Sequence, residues 1–271
     1  YDGTKSLLIA LESRQPVNEF DILAFSVSFE QDYLNVIEIL LLSGIPAERG
    51  QRGNEHPLVV LGGICSFFNP EPLADIFDVV LSGEGEDLAQ EFIDVYAKRR
   101  ELGKDALLRE IARIPGAYLP SYYEVRYNPD GTIRERVALT PEAPPMIAKR
   151  VARNFSAIPA STVIVTPETE FSNMHLAEMT RGCGRHCRFC MAGYIYLPPR
   201  NLGIEAAREQ ATIADETCGK IGLVGAALSD YPEINDLCDA ITGSLSVSSL
   251  RADSLSEKLV TRLAASGHKT I

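Results

Sequence analysis

Three of the six cysteines stand within eight residues of each other, in the segment CGRHCRFC. Cys183, Cys187 and Cys190 have the spacing C-x3-C-x2-C, whereas the other cysteines lie singly and far apart. Thiolates bind soft metals, and three of them from one tight loop match an iron–sulfur cubane with one iron left open. Gly182 and Gly184 allow the backbone to wrap around the sulfur atoms. The segment therefore predicts a 4Fe-4S site.

A structural zinc site is the alternative interpretation of this segment. Zinc takes four ligands, commonly two C-x2-C pairs or a cysteine pair with a distant histidine pair. Only three cysteines are local here, and the candidates for a fourth ligand, His186, His175 and Cys218, repeat no zinc-finger spacing. The spacing therefore favours the iron–sulfur cluster.

The charge of the chain is uneven around the cysteines. The formal net charge of the 271 residues is −11, which disfavours general binding of nucleic acid. A cluster with three thiolates is net negative, so a local group of cations would offset its charge, although such a group can also be an ordinary solvated surface. The cations before, within and just after the segment are Lys149, Arg150, Arg153, Arg181, Arg185, Arg188 and Arg200.

The composition favours a protein of the reducing cytoplasm. Clustered cysteines argue against a disulfide framework. No apolar run reaches the ~20 residues that a membrane helix needs, and the first residues lack the layout of a signal peptide. The sequence starts without an initiator methionine, so we expect a piece of a longer protein.

The first part of the chain alternates predicted strands and helices, which indicates an α/β fold with a parallel sheet. Ligands of such sheets bind at the carboxyl ends of the strands. Glycine-rich turns place Gly62, Gly63, Gly83 and Gly85 at such ends, either for close approach of a ligand or as ordinary turns. The predicted strands are SLLIALES (6–13), DILAFSVSFE, HPLVVLGG and DVVLSG, and the predicted helices are DYLNVIEILLLSG and EDLAQEFIDVYAKRR.

From Gly116 onward the pattern changes to a hairpin around Asn-Pro-Asp-Gly, followed by a proline-rich connection. The strand NMHLAEM then leads into the cysteine loop, and βα units follow it. The predicted elements are the helix GIEAAREQATIADE, the strand KIGLVG, the helix YPEINDLCDAIT, the strand SLSVSS, the helix SEKLVTRLAASG and the start of a fourth strand, HKTI. We therefore predict an α/β domain over 1–115, a hairpin and linker over 116–170, and a partial (βα) barrel over 171–271.

The cysteine segment, with Phe189 as the aromatic before its last cysteine, resembles the C-x3-C-x-φ-C signature of the radical S-adenosylmethionine (radical SAM) superfamily. The resemblance implies that Cys183, Cys187 and Cys190 bind a 4Fe-4S cluster and that SAM chelates the open iron. It also implies an enzyme, supplied by a flavodoxin- or ferredoxin-type reductant, that cleaves SAM to methionine and a 5′-deoxyadenosyl radical. The substrate stays unknown.

Two further segments resemble those around SAM in this superfamily. Where the superfamily often has a Gly-Gly-Glu turn after its second strand, this chain has LVGAALSD, so Gly225 and Ala226 would offer backbone carbonyls alone. The segment SVSSLRAD resembles the third-strand segment that meets the methionine part of SAM, which implies contacts from Ser248, Ser249 and Arg251.

The first domain resembles the cobalamin-binding-type, Rossmann-like domain that precedes many radical SAM barrels, through LVVLGGICSFFNPEPL and VVLSGEGED. Cobalamin is therefore a candidate cofactor. The chain departs from that pattern because it has no Asp-x-His-x-x-Gly stretch, and the one histidine of this domain, His56, precedes a strand.

Two other functions stay open: a zinc-stapled structural or binding module, and a catalytically incomplete fragment of a radical SAM enzyme. Neither a membrane nor a nucleic-acid partner is indicated. The remaining candidates are expected to be structural. Cys65, Cys218 and Cys238 would be buried small apolar residues, His175 and His268 would have core or surface roles, and Tyr194 and Tyr196 would pack on the cysteine loop or line a substrate mouth.

Overall fold

The computed structural model describes residues 8–270. The chain divides after Arg153 into two compact units. Both units combine parallel strands with helices, so the predicted α/β class is confirmed.

A four-stranded sheet forms the centre of the first unit. Its strands, in spatial order, are β1 (Ile22–Ser26), β2 (Leu58–Gly62), β3 (Val79–Leu81) and β4 (Ala117–Tyr118). The first three are parallel, and β4 runs antiparallel to β3. The run Leu-Val-Val-Leu of β2 is buried throughout, as expected for a central parallel strand that is covered on both faces.

Helices cover this sheet. They are α1 (Asp32–Leu42), α2 (Cys65–Phe68), α3 (Gly85–Arg99) and α4 (Lys104–Ala112). Gly44 follows α1 with a φ of 69°, a left-handed conformation that suits a glycine after a helix end. Acidic residues in the first turn of α3 and basic residues in its last turn complement the helix dipole. Leu88 and Phe92 of this helix are buried in the core.

A hairpin and a covering segment complete the first unit. The hairpin consists of β5 (Tyr123–Tyr127) and β6 (Ile133–Ala138), which pair antiparallel as predicted. The residues 144–153, which we call the strap, then lie along the end of β3. The backbone N–H of Arg150 donates to the carbonyl of Ser82 at 2.9 Å, and the N–H of Glu84 donates to the carbonyl of Arg150 at 3.1 Å. The strap therefore pairs with the backbone just beyond the end of β3, through a single bridge between Gly83 and Arg150.

Up to residue 270, the second unit has five strands: β7 (His175–Glu178), β8 (Thr180–Arg181), β9 (Arg200–Asn201), β10 (Lys220–Val224) and β11 (Ser244–Val247). A parallel sheet has the order β11-β10-β7, and β8 pairs antiparallel with β9. The segment before β7 covers its outer edge, because the N–H of Thr162 donates to the carbonyl of Leu176 at 2.9 Å.

Four helices belong to the second unit: α5 (Ala192–Ile195), α6 (Ile204–Thr217), α7 (Ile234–Ala240) and α8 (Glu257–Ala265). The buried face of α6 carries Ala207, Ala211 and Ala214, whose helical spacing puts three small side chains into one core. Helix α8 is capped by Ser256, whose hydroxyl accepts from the N–H of Leu259 at 3.2 Å.

Two predicted strands differ from the structure. Of the predicted strand 6–13, the first two residues lie outside the described range, and the rest contains a single bridge between Ile9 and Pro16 followed by a turn. At the predicted fourth strand, residues 268–270 have no strand pairing and Ile271 lies outside the described range. The three parallel strands do not close a barrel, so the partial barrel and the division at 115 and 170 stay predictions.

No helix within residues 8–270 combines the length and the apolar character that crossing a membrane requires.

An ion pair between the strap and α3 gives the first stability prediction. Arg150 donates two hydrogen bonds to Glu91, at 2.8 and 2.7 Å, and these outweigh the effect of burial and lower the pKa of the Glu91 carboxyl. Because the folded-state pKa lies below the unfolded one, the pair stabilises the fold above the ordinary pKa of glutamate. Its contribution is lost as the pH falls through the lowered value.

We expect Glu91→Gln to lower the free energy of unfolding by about 0.5–1 kcal/mol at neutral pH. In acid the variant and the wild type should converge. Urea unfolding at neutral pH and at a series of acid pH values measures both effects. Asp94→Asn, an exposed position on the same helix, is the matched control and should follow the wild type throughout. An equal difference at every pH would contradict the pairing.

Candidate functional site

The carboxyl edge of the second sheet brings three chain segments together. Leu223 of β10 is in register with Ala177 of β7 and with Val247 of β11. Because the three strands are parallel and in register, the residues that follow each strand meet at one edge. The cysteine segment follows the first strand here, and the segments predicted to contact SAM follow the other two.

Hydrogen bonds join the two predicted SAM segments. The Ser248 hydroxyl accepts from the N–H of Gly225 at 3.1 Å and donates to the carbonyl of the same residue at 2.9 Å. The N–H of Leu228 donates to the carbonyl of Ser249 at 2.9 Å. The structure therefore brings Gly225, Ser248 and Ser249 together, while Ala226 lies beside them.

A buried hydroxyl without a partner lies at the same edge. Thr180 is 8% exposed, and its Oγ1 has no hydrogen-bond partner among the described residues. A Cβ added to Gly225 would overlap this oxygen. The hydroxyl therefore occupies space that is open only because residue 225 has no side chain. A buried hydroxyl without a hydrogen-bond partner destabilises the fold. Such a group is expected at an edge where a ligand would supply the missing partner.

Of the two glycines predicted to shape the cysteine loop, Gly182 does so, whereas a Cβ on Gly184 would make only an ordinary contact, 3.4 Å from Pro199. Gly182 has a φ of 83°, and a Cβ there would overlap the carbonyl of Tyr196. Gly193, missed by the sequence analysis, is buried, and a Cβ on it would lie 3.2 Å from the backbone nitrogen of His186. Gly182 therefore requires glycine for the close approach of the loop to Tyr196, and Gly193 makes a tight contact within the loop.

The three thiols stand on an accessible loop. Cys187 is exposed, and Cys183 and Cys190 are half-buried. Among residues 8–270, no three His, Cys, Asp or Glu side chains are grouped as ligands of a single metal ion. A cubane needs no such grouping, because each thiolate binds a different iron. Three accessible thiols on one short loop are the donors that a 4Fe-4S cluster takes, so the chemistry of this loop fits such a cluster.

Two of the three candidates for a fourth zinc ligand lie at the other end of the sheet. His175 begins β7 and is buried, with its Nε2 2.9 Å from Oε1 of Gln210. Cys218 precedes β10, and its Sγ donates to the carbonyl of Lys220 at 3.2 Å. His186 is therefore the one candidate that lies on the cysteine loop.

Two of the predicted cations near the cysteines, Arg181 and Arg200, contact an acid or an aromatic ring. Arg181 donates to both carboxylate oxygens of Glu178, at 3.0 and 2.7 Å. Its guanidinium and that of Arg200 lie over the ring of Phe155, at 4.9 and 5.8 Å from the centroid. Arg188 is exposed. The remaining predicted cations, Lys149, Arg150 and Arg153, belong to the first unit.

Asp230 is the acidic residue of this edge that the sequence analysis missed. Its Oδ2 accepts from Nε and Nη2 of Arg185 at 3.1 and 3.0 Å, and its Oδ1 accepts from Nη1 of Arg251 at 3.0 Å. Burial alone would raise the pKa of Asp230, but the hydrogen bonds and charges of its partners hold it below the ordinary value. Asp230 follows the predicted strand KIGLVG by a few residues, and that position was the available signal.

The other predicted residues occupy varied environments. Phe189 is 92% exposed. Tyr194 packs on the cysteine loop, with its ring centroid 5.6 Å from that of His186 and its hydroxyl donating to the His186 carbonyl at 3.0 Å. The His268 Nε2 lies 3.0 Å from the carbonyl of Leu245. Cys65 and Cys238 are buried, whereas Cys218 is half-buried.

The corresponding edge of the first unit is occupied by the chain itself. A Cβ on Gly83 would overlap the backbone of Arg150, and one on Gly63 would lie 2.6 Å from the backbone of Val27. The Glu84 carboxylate, in the Gly-Glu-Gly-Glu turn, accepts from the N–H of Ala152 at 2.7 Å. The space beside these turns is therefore filled by backbone of the first unit itself.

The residues at this edge do not fit a corrinoid. The cavity there measures about 200 Å³, below the ~300 Å³ at which typical ligand pockets begin. His56, the one histidine of the first unit, lies before β2 and thus at the opposite end of the sheet, where it accepts from the N–H of Gly53 at 3.1 Å. The described residues at this edge of the first unit therefore offer cobalamin no site, and no role at this edge is assigned to it.

Comparison with known proteins points to one superfamily. Residues 1–120 match the family described as "Radical SAM proteins, N-terminal". An uncharacterized protein of Methanocaldococcus jannaschii is 28% identical over 258 residues, a match that covers 92% of this chain and 49% of that relative. The chain thus spans about half the length of the relative. The family match supports a relationship to the radical SAM superfamily.

The unpaired Thr180 hydroxyl gives a prediction for the protein without ligands. We expect Thr180→Val to raise the free energy of unfolding by about 1 kcal/mol, because the substitution removes a buried group that has no partner. Thr162→Val is the matched control, since the Thr162 hydroxyl accepts from the N–H of Leu176 at 2.9 Å, and it should lower the free energy of unfolding by a similar amount. Urea unfolding measures both, and equal losses in the two variants would contradict the assignment.

Proposed function

We propose that this chain carries the cluster-binding part of a radical SAM enzyme. The observation that carries the proposal is the position of the C-x3-C-x2-C loop, which follows β7 and the short β8 at the carboxyl edge of a parallel sheet. The match of residues 1–120 to an N-terminal family of radical SAM proteins supports it from a separate part of the chain.

In this proposal Cys183, Cys187 and Cys190 hold a 4Fe-4S cluster. When bound, the cluster supplies the electron that cleaves SAM into methionine and a 5′-deoxyadenosyl radical. Gly182 and Gly193 allow close contacts within the loop, and backbone N–H groups of the loop would offset the charge on the sulfur atoms of the cluster.

The neighbouring strand ends would bind the amino-acid part of SAM. The Gly225 carbonyl and the Ser248 hydroxyl lie side by side, and the Thr180 hydroxyl has a lone pair and a proton to offer a ligand. Arg251, held by Asp230, would face the carboxylate of SAM. Phe189, Ala226 and Ser249 stay predicted contacts of the same ligand.

The same proposal predicts the compartment of the protein and the donor of its electrons. Accessible thiols keep their reduced form in the cytoplasm, and an accessible cluster accepts electrons from a flavodoxin- or ferredoxin-type reductant. The substrate of the radical is left to experiment, because the residues that contact it share no common pattern in sequence.

Anaerobic reconstitution with iron and sulfide tests the cluster. We expect about four irons and as many sulfides per chain, with brown colour that bleaches on addition of dithionite. Alanine at any one of Cys183, Cys187 or Cys190 should remove most of the bound iron and sulfide. Cys218→Ala is the matched control, because this half-buried cysteine lies outside the loop and should leave both contents unchanged.

One tightly bound zinc with no sulfide would contradict the proposed cluster. Such a result, with loss of the zinc in His186→Ala, would instead establish the zinc-stapled module.

Cleavage of SAM tests the enzymatic step. With dithionite and SAM, we expect the reconstituted full-length protein to form 5′-deoxyadenosine, measured by liquid chromatography and mass spectrometry. The present chain should bind the cluster whether or not it cleaves SAM, because the three thiols are its own. Product from the full-length protein alone would identify this chain as a catalytically incomplete fragment.

A further inference from the structure

Asp230 joins two loops of the candidate site. It lies in the short 3₁₀ turn Leu228–Asp230 that follows β10. One carboxylate oxygen accepts two hydrogen bonds from Arg185, which stands between the first two cysteines of the loop. The other accepts from Arg251, in the loop after β11. The carboxylate thus connects segments that are 45 and 21 residues away in sequence.

The turn that carries Asp230 is anchored by hydrogen bonds to the loop after β11. The Ser229 hydroxyl accepts from the N–H of Arg251 at 2.9 Å, and the hydroxyls of Ser229 and Ser254 lie 2.8 Å apart. Ser229 is 8% exposed. The carboxylate of Asp230 therefore projects from an anchored turn, whereas Arg185 belongs to an exposed loop.

Asp230 receives more hydrogen bonds than a carboxylate in a simple surface ion pair. An exposed pair between two flexible side chains contributes little to stability. Here the Nε and Nη2 groups of Arg185 both donate to Oδ2 of Asp230, and Nη1 of Arg251 donates to both carboxylate oxygens, at 3.0 and 3.2 Å. Two guanidinium groups on one carboxylate fix its orientation, so the contact is suited to placing the loop.

We propose that Asp230 is a positioning residue that fixes the cysteine loop through Arg185 before any cluster binds. The inference rests on the proposed function for its purpose. A loop that is already held in place loses less conformational entropy when its three thiols bind a cluster. Its physical content, a tether between loop and sheet, stands on the hydrogen bonds alone. The tether would also couple the loop to Arg251, a predicted contact of SAM.

Tryptic cleavage after Arg188, in the chain without a cluster, tests the tether directly. Cleavage of a native protein follows the population of the locally opened form when closing is fast. We expect Asp230→Ala and Arg185→Ala each to speed this cleavage by about three- to ten-fold. The double variant should be cleaved no faster than either single variant, and Asp230→Glu should restore most of the protection.

Two controls separate a positioning role from general loss of structure. Asp239→Asn removes a carboxylate that pairs with Lys258 on the outer helices α7 and α8, and it should leave cleavage after Arg188 unchanged. The cleavage after Lys258 should be the same in Asp230→Ala as in the wild type, whereas the urea midpoint should fall slightly, because the fold lowers the pKa of this carboxyl and loses the matching stabilisation. Cleavage that rises equally at both sites would overturn the proposal, as would a wild-type rate at Arg188.

A second arm uses the reconstituted protein. We expect an iron chelator to bleach the cluster several-fold faster in Asp230→Ala and Arg185→Ala than in the wild type and in Asp239→Asn. If the wild type takes up no cluster, the proposed function fails while the cleavage arm still decides the tether. If the wild type takes up the cluster and both arms show no difference among variants, the tether fails and the proposed function stands.

Discussion

Parallel register is the constraint on which the candidate site depends. Side chains that follow β7, β10 and β11 meet only because the strands run in the same direction with aligned ends. The alignment puts the Thr180 hydroxyl against Gly225 and the Ser248 hydroxyl on the backbone of that glycine. The core beneath supports the alignment, since the small residues of α6 let the helix pack closely on the sheet.

Charge around the cysteine loop is more balanced than a count of arginines indicates. Arg181 is paired with Glu178, and Arg185 and Arg251 share Asp230. These pairs fix the directions of the guanidinium groups and leave less net positive charge at the loop. Backbone N–H groups of the loop would then supply more of the compensation for a negatively charged cluster than the sequence suggested.

Much of the fold could be predicted from the sequence, because apolar runs of strand length and helical spacing of apolar residues are local signals. The strands around Val60 and Leu223 and the helix of alanines at 207–214 follow directly from them. The run at 6–13 was misleading: its composition suits a strand, yet the described part pairs through Ile9 alone. A strand needs a partner, and partners are not a local property of the chain.

The cysteine loop could likewise be placed from sequence, whereas its surroundings could not. Spacing identifies three thiols, and strand order predicts the edge on which they stand. The tether through Asp230 depends on two arginines reaching one carboxylate across 45 and 21 residues, which no short motif encodes. The role of Gly83 was also ambiguous, because a left-handed glycine can face a ligand or the chain itself, and here it faces Arg150.

The strap has a consequence for where the protein can be cut. Similarity to the N-terminal family ends at residue 120, but the first compact unit continues to Arg153. A fragment trimmed to the family boundary would lose the backbone that lies on Gly83 and the guanidinium that covers Glu91. The carbonyl of Ser82 and the N–H of Glu84 would then lose their backbone partner beside an unbalanced carboxylate, so the trimmed unit should be less stable. The boundary drawn by sequence similarity and the one drawn by packing are therefore different places in this chain.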